Sequence, residues 1–285
     1  MTSIISAQGL TKRYGRTLAV DHIDLDIPPG RIVGLIGPNG AGKTSALKAI
    51  LGLATYEGEL SVLGMNPSKQ RAALMQDVCF IADVAVLPRW IRVDQLIEIT
   101  EKLHPGFKRE RCMEYLAQTQ VTTSHKVKQL SKGMVAQLHL ALVMAIDARL
   151  LVLDEPTLGL DIIYRKEFYT NLLTDYFDEE RTILITTHQV EEVEHILTDL
   201  VFIREGKIAL EATMEAVQER YVELMAKPDK ALEARKMRPL YERELFGRHI
   251  FLYDSVDREA LKGLGELHTP SVADLFVATM KGGVS

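Results

Sequence analysis

The chain has 285 residues, enough for one large α/β domain with a small appendage or for two domains. Hydrophobic residues make up 47%, which supports a sizeable core and argues against disorder. The net charge of −5, with no long Lys/Arg run, disfavours a phosphodiester backbone as partner. The two cysteines, Cys79 and Cys112, form no CxxC pair, so neither a disulfide framework nor a zinc site is expected. Reduced buried thiols in a cytosolic protein are the simpler reading. Met1 to Leu10 lacks the basic start and apolar run of a signal peptide. No apolar stretch reaches the roughly 18 residues of a spanning helix. Any membrane crossing therefore falls to another chain.

Residues 3–9 and 18–27 read as strands, the second alternating apolar and polar residues as a half-buried antiparallel strand should. Pro28-Pro29-Gly30 forces a turn. An apolar strand over 31–36 and a helix over 44–51 flank a glycine-rich bend. Short strands follow at 58–63 and 78–81. From about 84 to 147 the pattern turns helical, with runs at 93–103, 109–119 and 132–146. A fully apolar strand over 150–153 precedes a helix at 161–176, a strand at 182–186, a helix at 190–197 and strands at 199–204 and 207–211. A charged helix over 213–226 leads into the Lys/Arg-rich segment 227–238, which reads as a solvated face. Strand-like runs at 240–246 and 249–253 and helices near 256–262 and 271–280 complete a small α+β appendage.

The glycine-rich bend is GPNGAGKT, which fits the P-loop pattern. Residues without side chains let backbone N–H groups approach phosphate oxygens, and the helix start adds partial positive charge. The candidate nucleotide-binding residues are Gly37, Pro38, Asn39, Gly40, Ala41, Gly42, Lys43, Thr44 and Ser45. Lys43 is placed to reach the β and γ phosphates and the Thr44 hydroxyl to ligate Mg²⁺. The chain is therefore expected to bind a nucleoside triphosphate.

A second motif narrows the class. The apolar strand Leu150 to Asp154 ends in an acid and is followed at once by Glu155. Such a strand delivers Asp154 to the sheet edge, where its carboxylate can hold Mg²⁺. Glu155, one residue further, is the candidate to polarise an attacking water. Alone the pair is weak; beside a matched P-loop it is strong. A third motif, LSKGM (Leu130 to Met134), opens a helix with Ser131 where an N-cap belongs.

In this order the motifs resemble those of the ABC (ATP-binding cassette) ATPases. The resemblance covers about residues 3–215. PTLGLD (Pro156 to Asp161) resembles the family's D-loop, Thr187-His188 its switch histidine and TKRYG the segment whose aromatic stacks on adenine. The resemblance implies that Glu155 and His188 are catalytic and that Tyr14 contacts the base. It implies that Asp161 faces a second subunit. Ser131, Lys132 and Gly133 would act in trans on the partner's ATP. The implied fold is α/β, a P-loop core with an antiparallel β-subdomain, an inserted helical subdomain (about 84–147) and a C-terminal α+β appendage. The implied domains are 1–215 and 216–285. ATP and Mg²⁺ would be the ligands. The implied partners are a homo- or heterodimer mate and transmembrane permease subunits, with the chain peripheral on the inner, cytoplasmic face of the membrane.

Three positions depart from the family pattern. Lys132 and Met134 replace a glycine and a glutamine of the common LSGGQ signature. Asp83 stands where the Q-loop glutamine is expected and is a further candidate for Mg²⁺. Leu158 replaces a frequent serine. LSKGM-type signatures and an acid at the Q-loop resemble the exporter branch for drugs, peptides or ions, as does TPSVADLF (Thr269 to Phe276). Trp90 and Ile91, beside Pro88, are candidates either to dock a membrane subunit or to pack in the core. The alternative is a soluble ABC-type ATPase acting on nucleic acid or ribosomes. It is disfavoured by the single cassette, the lack of coiled-coil or zinc insertions and the acidity.

Overall fold

The computed structural model describes residues 3–81, 87–158 and 160–281. Strands β1 (Ile5–Tyr14) and β2 (Thr17–Ile27) form a hairpin that turns at Gly15, where φ is +58°. Pro28 and Gly30 end β2 and lead into β3 (Ile32–Ile36), all of whose residues are buried. Helix α1 (Lys43–Ile50) follows the P-loop. After β4 (Glu57–Val62), α2 (Pro67–Leu74) starts with Asn66 accepting from the Ser68 and Lys69 amides and with proline at its first position. Then β5 (Val78–Ile81) enters the core.

The helical block holds α3 (Val93–Leu103), α4 (Arg109–Ala117) and α5 (Lys132–Met144). The chain returns through β6 (Leu150–Asp154), α6 (Ile162–Asn171), β7 (Thr182–Thr187), the short α7 (Val190–Val193), β8 (Asp199–Arg204) and β9 (Lys207–Thr213). Helix α8 (Met214–Arg220) connects to β10 (Tyr221–Ala226), α9 (Ala231–Lys236), β11 (Tyr241–Leu245), β12 (Arg248–Asp254), α10 (Arg258–Leu261), β13 (Gly265–His268) and α11 (Val272–Lys281).

Three sheets organise these elements. The central one runs β5-β6-β7-β3-β8-β9, with only β9 antiparallel to its neighbour. Its alternating side chains feed two cores. Ile32, Ile36, Leu151, Leu153, Ile183 and Ile185 pack with the helical block. Val33, Leu35, Leu150, Val152 and Leu184 pack with α1 and the three-stranded antiparallel sheet β2-β1-β4. A sheet buried on both faces needs apolar residues at every position, as LLVL in β6 supplies.

The third sheet, β11-β12-β10-β13, is antiparallel throughout. With α9 and α10 between its strands it is a split βαβ unit of ferredoxin-like order. Here the expected helix 213–226 is corrected: it stops at Arg220, and YVELMA is strand β10. Its residues are good helix formers, but Val222, Leu224 and Ala226 alternate onto one face, and pairing with β12 and β13 outweighs propensity.

Helix α11 is tied at one end to the segment after α7 and at the other to β8 of the central sheet. The Val272 amide donates to Glu194 Oε2 at 3.0 Å. Arg204 Nη1 donates to the carbonyls of Thr279 (3.3 Å) and Met280 (3.2 Å). An acid at the amino end and a cation at the carboxyl end both suit the helix dipole. Between them Phe276 meets Phe202 edge-on, ring centroids 5.2 Å apart. Among the described residues no helix is long and apolar enough to cross a membrane.

Candidate active site

The carboxyl ends of β3, β6 and β7 are neighbours in one parallel sheet, so the loops that follow them share one crevice. Gly37 to Gly42 bends after β3, with Gly40 at φ +80° and Gly42 at φ +110°. A Cβ on Gly42 would lie 2.2 Å from the Ala19 carbonyl oxygen, so β2 fixes the loop's path and only glycine fits. No side chain caps α1, which leaves its first amides aimed at the crevice. Lys43 Nζ donates to the Gly37 carbonyl at 2.6 Å and the Pro38 carbonyl at 3.3 Å. Burial pushes the Lys43 ammonium below the ordinary lysine range, while Glu155 and Asp154 pull it back up. A cavity of about 200 Å³ lies here, lined by Asn39 to Ser45, Ala19, Asp154 and Glu155. Uncapped amides, a lysine and an open cradle fit a polyphosphate.

The acids meet this cradle through parallel register. Asp154 pairs with Thr186. Its Oδ1 accepts from the Thr186 hydroxyl and its Oδ2 from the Thr44 hydroxyl at 3.2 Å. A carboxylate beside a hydroxyl, under a phosphate site, fits Mg²⁺, a hard cation that takes few protein ligands. Among the described residues no group of three or more His, Cys, Asp or Glu forms a metal cage of its own. Glu155 is a non-glycine residue at φ +50°, a strained conformation held by its backbone N–H, which donates a hydrogen bond to the Thr186 carbonyl at 3.0 Å. Its Oε1 meets His188 Nδ1 at 2.8 Å, and its Oε2 accepts from the Thr187 hydroxyl at 3.3 Å.

The remaining predicted residues lie at other places. Tyr14, at the end of β1, is exposed, with Lys12 Nζ 4.7 Å from its ring centroid. Ser131 caps α5, its Oγ accepting from the Met134 amide at 3.2 Å. Lys132 is exposed. Gly133 is unlike Gly42, because a Cβ there would meet only Ser131 Oγ, at 3.9 Å. Asp161 caps α6 through Oδ1, accepting from the Ile163 and Tyr164 amides. Ser131, Gly133 and Asp161 line a cavity that shares no residue with the P-loop cavity. Asp83 lies outside the described residues. Trp90 is 72% exposed, whereas Ile91 is buried in the core. Sequence reasoning gives Thr186 no role and names Thr187 only as the neighbour of His188; the fold bonds their hydroxyls to Asp154 and Glu155. The signal available was a pair of hydroxyls at the end of an apolar strand, just before His188.

The family described as ABC transporter matches residues 20–158. The chain is 33% identical over 300 residues to the Nod factor export ATP-binding protein I of Burkholderia thailandensis, covering 96% of this chain and 95% of that one. It is 30% identical over 223 residues to the bacitracin transport ATP-binding protein BcrA of Bacillus licheniformis (77% and 73% covered). It is 32% identical over 210 residues to the lantibiotic transport ATP-binding protein SrtF of Streptococcus pyogenes (73% and 90% covered). A solved ATP-binding subunit of an ABC transporter superposes with a TM-score of 0.67 at 20% identity, over 76% of this chain and 92% of that one. A nucleotide-free ATP-binding cassette gives 0.64 at 18% identity, over 74% and 92%. With a phosphate cradle, an acid pair and a histidine converging at one sheet edge, and a relative 33% identical matched over 95% of its length, the chain belongs to the ABC transporter family as an ATP-binding ATPase subunit.

Proposed function

We propose that this chain hydrolyses Mg²⁺-ATP to power export through separate membrane subunits. The observation that carries the reading is the 2.8 Å contact between His188 and Glu155 at the rim of the phosphate cradle. It joins a general-base candidate to a residue that can hold it in place. When bound, Mg²⁺ neutralises phosphate charge. Thr44 and Asp154 are the residues that hold it. Lys43 and the α1 amides grip the phosphates. Glu155 orients the attacking water and accepts its proton at a carboxylate oxygen. His188 keeps that carboxylate aimed.

The site works as a composite of two copies, with Ser131 and Gly133 of one covering the nucleotide of the other. Gly133 supports this, since among the described residues nothing crowds a Cβ there closer than Ser131 Oγ at 3.9 Å. So does the exposed apolar set Leu158, Ile162 and Ile163 around the D-loop. Export is supported by the relatives named for export of Nod factor and transport of bacitracin and lantibiotic. Exposed Trp90 on the helical subdomain supports docking on a membrane subunit's cytoplasmic surface, with the chain peripheral on the inner face. Residues 1–215 form the motor and 216–285 an accessory domain.

The test is Glu155→Gln with Mg²⁺-ATP. Turnover should fall by about 10²–10³-fold, and the chain should elute as a stable dimer on size exclusion. Unaltered turnover in this variant would reject the site.

A further inference from the structure

Between α6 and α7 lies a ring of hydrogen bonds that the phosphate chemistry does not use. Arg165, in the first turns of α6, is at its centre. Its Nε donates to the Leu160 carbonyl at 2.8 Å. Its Nη1 donates to Gln189 Oε1 at 3.0 Å and to Glu192 Oε1. The other oxygen of Glu192 accepts from the Thr157 hydroxyl at 3.2 Å. Thr157 is 4% exposed and also contacts the buried Tyr169 hydroxyl at 3.3 Å. The Gln189 amide donates to the Thr187 hydroxyl at 2.9 Å, and that hydroxyl bonds Glu155.

The ring therefore closes on the reacting group. From Glu155 the chain passes through Pro156 to Thr157, then through side chains to Glu192, Arg165 and Gln189. Gln189 is the covalent neighbour of His188, which returns to Glu155. Arg165 and Glu192 are only 23% and 25% exposed, so water screens this pair less than a surface pair. A guanidinium suits the place because its fixed fork reaches three acceptors in different directions. The same side chain grips the D-loop at Leu160 and the switch segment at Gln189 and Glu192.

We propose that Arg165 is a positioning residue that ties the D-loop to the switch histidine, so that a body pressing on the D-loop sets the aim of His188 at Glu155. The inference rests on the proposed hydrolysis. The exposed side chains of Leu158, Ile162 and Ile163 flank the segment that Arg165 holds, so contact there reaches the ring directly. Glu192 carries the second strand of the link through Thr157, two residues after Glu155.

The test is a kinetic cycle on the full chain with Mg²⁺-ATP. Arg165→Ala should lower kcat about tenfold and leave the KM for ATP within about twofold. In a His188→Ala background the same change should cause almost no further loss, because Arg165 acts through His188. Glu192→Gln, which keeps the side chain's shape and its bond to Thr157, should give the same split and the same non-additivity. It carries the test if Arg165→Ala fails to fold. Losses that multiply with His188→Ala, or a raised KM at unchanged kcat, would overturn the proposal. A wild-type chain without turnover would instead reject hydrolysis at this site, and the inference with it.

Discussion

The P-loop edge and the start of α5 are built on opposite plans. At the first, the chain supplies its own partners: Thr44 and Thr186 hold Asp154, while His188 and Thr187 hold Glu155. Even the glycine is dictated from inside, by the Ala19 carbonyl. At the second, Ser131 caps its own helix, Lys132 points to solvent, and Gly133 has almost nothing near its missing side chain. The first region is held together by its own contacts, and the second is an exposed helix start that the proposed composite of two copies would cover.

The largest effect that could break this comparison is at the first region. Lys43→Ala removes the buried cation of the cradle, and ATP affinity should drop by about 100-fold or more, near 3 kcal/mol, in a fluorescent-nucleotide titration. Unchanged affinity would mean the phosphates are held elsewhere. A matched pair of glycine substitutions sharpens the contrast at intermediate size. Gly42→Ala should destabilise the fold by about 2–3 kcal/mol and abolish nucleotide binding, through the clash with Ala19 and the positive φ. Gly133→Ala should leave the melting temperature within about 1 °C and ATP affinity intact, yet lower turnover about tenfold. If both variants unfold alike, the distinction between the regions is lost.

A further test is a pH response on the α5 side. Burial pushes His139 down to about 4. Between about pH 6.5 and 4 the unfolded chain therefore binds more protons at this residue than the folded one. Stability is complete above 6.5 and falls as acid is added across that window, by about 3 kcal/mol at most. Urea melts of wild type and His139→Leu at pH 7 and 4.5 should show the difference shrinking in the variant. An equal acid loss in both would remove His139 from the account.

The P-loop, the acid pair and His188 were legible because each is a local pattern with its own flanking strand or helix. What stayed hidden was set by contacts between distant segments. Thr186 gains its role only when β6 and β7 lie in register, and Arg165 meets Glu192 across 27 residues. Leu150 to Leu153 announces a strand because every residue is apolar, whereas Tyr221 to Ala226 reads as the continuation of a helix until its neighbours pair with it. For Trp90 and Ile91 the sequence leaves docking and core packing open; the fold puts Ile91 in the core and Trp90 outside.

Helix α11 gives the molecule a mechanical property that neither half has alone. Its amino end hangs on Glu194, directly after the short helix that follows the switch histidine, and its carboxyl end on Arg204, at the far end of β8. A rod pinned at two such points cannot follow a shift of one without dragging on the other. Movement of Glu194 with the switch would therefore load α11 against its Arg204 anchor.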